Sequence, residues 1–186
     1  MPALPRLALP LALVLPLALA ACGAPSADAP VDAPAATPGL TLTADGAGRL
    51  GAETPLDSAA VRQALPAGFV TERHDGPDGA PAVWALRDGQ IVFELTGGDT
   101  VTRIDAPSEA VTGPGGVRPG QTFAEAGGDR GDCALGTDDL RDRAVCDADG
   151  VSLVFASEAL VGQAALPPAE ALAGAVLERL VWRADG

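Results

Sequence analysis

Between Phe69 and Asp105 the chain carries four runs with strand character, "FVTERH", "PAVWALR", "QIVFELT" and "TVTRID", with the short connections "DGPDG", "DG" and "GGD" between them. Asp-Gly accepts the left-handed conformations that a tight hairpin turn requires, so Asp88-Gly89 and its neighbours predict an antiparallel meander of four strands. Side chains alternate across a strand. Val83, Ala85 and Arg87 therefore fall on one face and Trp84 and Leu86 on the other, with Trp84 expected in the core.

The segments around this meander set the predicted class. "TLTADGAGRLGAETP" starts as a short strand and passes through Gly46, Gly48 and Gly51, which suit tight turns. Its G-x-G lacks the third glycine and the following helix of a dinucleotide fingerprint. Thr54 can cap a helix with Pro55 in its first turn, Leu56, Ala60, Val61, Ala64 and Leu65 as its apolar stripe, and an end at Pro66-Ala67-Gly68. The second half is similar in outline: Thr122 and Glu125 form a capping box, then come "DCAL", "RAVCD", "VSLVFA", a short helix at "PPAEALA", and "AVLERLVWR". The prediction is an α+β fold, an antiparallel sheet built from two helix-plus-meander units, with helices on one face and the two units suggesting a duplication.

The front of the chain follows different rules. Residues 1–21 place Arg6 before "LALPLALVLPLALAA", whose interior prolines oppose a spanning helix, so a secretory leader is expected. "Leu19-Ala20-Ala21-Cys22" resembles the lipobox of bacterial lipoproteins, which implies cleavage before Cys22 and lipidation of its thiol. Two or three acyl chains hold a protein firmly to a bilayer. Gly23, where an Asp would favour retention in the inner membrane, implies the outer membrane. Residues 22–39 follow as a lipidated cysteine and an Ala/Pro-rich tether, too poor in large side chains to build a core and able to extend up to ~50 Å at ~3.1 Å per residue. The globular domain is then residues 40–186.

Charge and chemistry narrow the function by exclusion. Net charge is −13 and the basic residues are all arginine with no basic run, so nucleic acid and anionic lipid surfaces are not expected partners. With Cys22 lipidated, Cys133 and Cys146 are expected to form a disulfide in an oxidising compartment. Asp129, Asp132, Asp138, Asp139, Asp142, Asp147 and Asp149 surround that loop, but "DADG" supplies only a fragment of a calcium-loop pattern, and no metal site or cofactor is expected. His74 is the one histidine, with no serine in a nucleophile elbow and no free thiol to accompany it. No catalytic residues, and no enzyme, are expected.

The motifs "GAGRLGAETPLDSAAV" (46–61), "VTRID" (101–105), "GVRPGQTF" (116–123), Cys133, "RAVC" ending at Cys146, and "LVWR" (180–183) occur in one order along the chain. In this the domain resembles the envelope-stress (sigma-E) regulated outer-membrane lipoproteins of Gram-negative bacteria, a domain of unknown function. The resemblance implies a lipoprotein domain with one disulfide and no known catalytic residues. The Ala/Pro tether and the absence of lysine depart from enterobacterial members. "GVRPGQTFAEA" is also similar to small lipoprotein modules that assist outer-membrane protein assembly, as an analogy of fold only. The expected function is a non-enzymatic binding or assembly module, anchored to the outer membrane through Cys22, facing the periplasm and contacting a protein of the envelope. The alternative is a small-ligand-binding protein or hydrolase that uses the acidic surface or a pocket.

Overall fold

In the computed structural model, residues 40–76, 79–128 and 132–184 are described, and the leader, Cys22 and the tether lie outside them. The expected strands of the meander form β3 (Val70–Asp75), β4 (Pro81–Arg87), β5 (Gln90–Gly97) and β6 (Val101–Ala106). Asp88 and Gly89 both take positive φ, 52° and 76°, the pair of left-handed residues that a two-residue hairpin needs. Asp149 and Gly150, at 48° and 77°, do the same between β9 (Arg143–Ala148) and β10 (Val151–Ala156). With β8 (Cys133–Leu135) and β11 (Val176–Arg183) these strands build one eight-stranded antiparallel sheet in the order β3-β4-β5-β6-β11-β10-β9-β8. The last strands of the two halves, β6 and β11, meet at its centre.

A smaller sheet is formed by β1 (Leu40–Thr43), β2 (Gly46–Ala47) and β7 (Val111–Thr112), with β1 antiparallel to β2 and parallel to β7. Its Leu40 and Leu42 are buried. Trp182 on β11 joins the two sheets by donating its indole N–H to the Ala44 carbonyl at 2.6 Å. The core lies on this inner face of the large sheet. One register row across it reads Val83, Leu95, Ile104, Trp182 and Val151, all of them buried.

The α+β class does not hold. The described residues are mostly β, eleven strands in two sheets, with α1 (Ser58–Ala64) and a single turn, α2 (Ala169–Leu172), as the only α-helices. They do not make two helix-plus-meander units, and the reasons are local. The Thr54 hydroxyl accepts from the Gly51 N–H and donates to the Arg49 carbonyl, and Pro55 bridges to Thr100, so neither starts the helix. Asp57 caps it instead, accepting from the N–H groups of Ala59 and Ala60 at 2.9 Å each. At the second position the capping box does form: the Glu125 carboxylate accepts from the Thr122 N–H at 2.8 Å, and the Thr122 hydroxyl from the Glu125 N–H at 3.2 Å. It closes only a turn. The Ala126 N–H donates to the Thr122 carbonyl at 2.9 Å, but Gly127 follows at φ 64° and ends the run.

Trp84 is also not a core residue. It is half-buried on the outer face of the large sheet, while Ala82, Val83 and Ala85 beside it are fully buried. Among the described residues no helix is long and apolar enough to cross a membrane.

Candidate functional site

The outer face of the large sheet collects the buried charge of the domain. In antiparallel pairs, opposed residues share a face with Cβ atoms roughly 5 Å apart. The register aligns Glu72 with Trp84, Trp84 with Glu94, Glu94 with Asp105, and Asp105 with Val181. The adjacent row holds His74, Ala82, Thr96 and Arg103. Two carboxylates thus stand side by side, an arrangement that costs free energy unless cations intervene.

Arg103 is one such cation. Its Nε and Nη2 donate to Asp105 at 2.6 and 2.8 Å, and its Nη1 lies 2.6 Å from Asp139. Burial works against the Arg103 charge, but the hydrogen bonds and charges of Asp105 and then Asp139 outweigh it, so its pKa rises above the ordinary arginine value. Asp105 is only 5% exposed. Arg179 supplies the second cation, with Nη1 3.5 Å from Asp105 and Nη2 3.8 Å from Glu178. A β-bulge sets this corner: Val154 pairs with Arg179 and Phe155 with Leu177, so Glu178 is the extra residue. Its carboxylate accepts from Arg143 Nε at 2.5 Å.

His74 and Trp84 flank the cluster. Their rings lie 3.9 Å apart, centroid to centroid, at 34°. His74 Nδ1 is 3.1 Å from the Asp75 carbonyl, and Nε2 is 3.7 Å from Glu94 Oε1. Three buried nitrogens have no hydrogen-bond partner among the described residues: His74 Nε2, Trp84 Nε1 and Arg179 Nε. A buried donor left unmade costs about 1–3 kcal/mol.

A pocket of about 500 Å³ opens here, lined by Glu94, Thr96, Arg103, Asp105, Arg179 and Ala80, with Asp138 and Asp139 from the loop before β9. That loop is fastened at several points. Leu140 packs with Val154, Val181 and Val145 in a small apolar cluster on the same face, and Asp142 accepts from the Gly162 N–H at 2.9 Å. Gly136 lets it fold this tightly, since a Cβ there would stand 2.1 Å from the Leu140 carbonyl oxygen.

The residues singled out from sequence are distributed as follows. Cys133 and Cys146 are cross-strand partners joined by a disulfide, with S–S 2.02 Å, on the inner face and against the core. Cys22 and Asp129 lie outside the described residues. The other aspartates separate: Asp138 and Asp139 join the outer-face pocket, while Asp132, Asp147 and Asp149 line another of about 520 Å³. No group of three or more His, Cys, Asp or Glu among the described residues is placed to hold a metal ion. His74 reaches Trp84 and Glu94. Arg103, Asp105, Glu94 and Arg179 were not singled out as site residues. The parity of Arg103 and Asp105 within "VTRID" was the available signal, but their partners depend on pairing across the sheet.

These features define a mostly β domain with one disulfide, whose desolvated charges gather around a pocket on the outer face of an eight-stranded antiparallel sheet. The chain belongs to the family described as "Protein of unknown function (DUF1131)", which matches residues 29–184. A crystal structure of the uncharacterized protein yfeY from Escherichia coli shares the fold, with a TM-score of 0.61 at 22% identity over 77% of this chain and 99% of that one. Nothing among curated proteins matches this chain.

Proposed function

We propose that this protein is a lipid-anchored binding module of the outer membrane, without enzymatic activity, which recognises another component of the envelope through the outer face of its large sheet. Residues 1–21 are the leader, Cys22 the lipidated residue, and 22–39 a tether that carries the domain into the periplasm. Lipobox-like "LAAC" supports the anchor, and the family resemblance supports the compartment and control by envelope stress. One observation carries the choice of face: a pocket of about 500 Å³ opens there, lined by the charged groups of Glu94, Arg103, Asp105 and Arg179, and the carboxylates nearest Arg179 stand only at 3.5 and 3.8 Å.

Crosslinking in intact membranes followed by mass spectrometry tests this reading. A reproducible protein partner, lost on Arg179→Met while the variant still reaches the membrane fraction, is the expected result. Absence of any reproducible partner, or a partner indifferent to Arg179, would overturn it. Loss of the protein from membranes in Cys22→Ser, with loss of incorporated fatty acid, tests the anchor separately.

A further inference from the structure

We infer that the pocket under the 136–142 loop recognises a small zwitterion, a ligand with one oxyanion and one ammonium group; this rests on the outer face being the binding face. The inference comes from accounting for every charge at the pocket. Asp105 and Asp139 are committed to Arg103 through contacts of 2.6, 2.8 and 2.6 Å. Arg179 is differently placed. Its nearest carboxylate oxygens stand at 3.5 and 3.8 Å, beyond good hydrogen-bond length, and its buried Nε has no partner among the described residues. A guanidinium carries five N–H donors in a planar fork that fits an oxyanion in two-point fashion. Arg179 is therefore held by two loose ion pairs, with no hydrogen bond from its Nη donors to any described residue.

The complementary groups line the same pocket. Among the described residues the one ion-pair contact of Glu94 is His74 Nε2, at 3.7 Å, and Asp138 accepts a hydrogen bond from the Thr137 hydroxyl at 3.2 Å. Each ionised carboxylate has about four lone-pair sites. A simple anion entering here meets more carboxylate than guanidinium, and approaches a chain of net charge −13 against its field. A simple cation leaves the Arg179 donors unmet. A zwitterion satisfies both ends and meets no long-range repulsion. A volume of about 500 Å³ suits something of dipeptide size.

Two sources present this chemistry, a free peptide end-to-end and an ethanolamine phosphate headgroup. The full chain, purified in detergent, is titrated calorimetrically with alanyl-alanine and with glycerophosphoethanolamine, whose phosphodiester carries one negative charge, and with analogues keeping one charge each: N-acetyl-alanyl-alanine, alanyl-alanine amide, diethyl phosphate and ethanolamine. At least one zwitterion is expected to bind at least about tenfold more tightly than both of its single-charge analogues, and which one it is names the source. Arg179→Met and Glu94→Gln should each weaken it by a similar factor, while their melting temperatures show that the fold is kept. Equal binding of the single-charge analogues, or no zwitterion binding below about 10 mM, overturns the inference. A crosslinked partner with no zwitterion bound refutes this inference alone, and a bound zwitterion with no protein partner refutes the partner reading alone.

Discussion

Replacing Asp105 by Ala isolates what holds the outer-face cluster together. Asp105 accepts two charge-assisted hydrogen bonds from Arg103 and is the nearest carboxylate to Arg179. Its removal leaves two guanidinium groups, with side chains 21% and 24% exposed, beside Asp139 and Glu178, which at 45% and 36% are far better solvated. Breaking a fully buried pair from one side costs about 3–5 kcal/mol. Both arginines reach some water, so the expected loss here is about 2–4 kcal/mol. At about 2–4 °C per kcal/mol for a domain of this size, the melting temperature should fall by roughly 4–16 °C. Urea titration followed by far-UV circular dichroism, extrapolated linearly, measures the loss. Removing Arg103 as well, as Arg103→Met with Asp105→Ala, should recover at least about 1 kcal/mol relative to Asp105→Ala, because one of the two partly desolvated guanidinium groups is then gone. A loss below about 0.5 kcal/mol for Asp105→Ala, or strict additivity of Asp105→Ala and Arg103→Met in the double variant, would refute the claim that Asp105 is the keystone of the cluster.

Other perturbations probe the fold. Phe155 is fully buried and meets Phe123 edge-to-face at 5.1 Å, so Phe155→Ala should cost about 3–5 kcal/mol in the same urea titration. Replacing Cys133 and Cys146 together by Ser opens a loop with a sequence separation of 13 and should cost about 3 kcal/mol in the chain-entropy model, read as a lowered melting temperature in non-reducing buffer. The Glu125 carboxyl is held below its usual pKa by the Thr122 N–H and then the Thr122 hydroxyl. Its folded pKa is depressed, so its contribution is present above the unfolded value near 4.5 and is lost as pH falls through the folded value. Glu125→Gln, which keeps an acceptor but does not titrate, should flatten the pH dependence of stability in that acid window, and an unchanged profile would contradict the assignment.

What was legible in the sequence was local. "PAVWALR" is β4 residue for residue, and the Asp88-Gly89 turn takes the conformation that its chemistry favours. The Thr122 box was real as well, yet a box supplies a start and not a helix. Nucleating a helix is costly without a run of residues to propagate it, and here Gly127, at φ 64°, and Gly128 follow the first turn directly. Gly128 also lies against the Phe123 ring, where a Cβ would stand 2.6 Å from it. Thr54 failed as a cap for a different reason: its hydroxyl was claimed by the Arg49–Gly51 turn. One helix start was displaced by a competing turn and the other stopped after a single turn, and the α+β class was lost with them.

The site was not legible because it is a property of register. Arg103 and Asp105 share a face by period two, but nothing in "VTRID" says that β11 will lie beside them. Nor does simple alternation find Glu178, which it would send inward with Leu180 and Trp182. Leu177 and Leu180, three apart and both fully buried, require a bulge, and the bulge turns Glu178 out toward Arg143. The inner face decides all of this. Slipping β6 against β11 by one residue would bring Arg103 and Asp105 to the core side and Ile104 to the surface. The row Val83, Leu95, Ile104, Trp182 and Val151 forbids that slip, since each of its side chains is at most 3% exposed. Locking the apolar row also locks the row behind it, so Glu94, Asp105 and the two arginines are assembled on one face by the packing of side chains on the other.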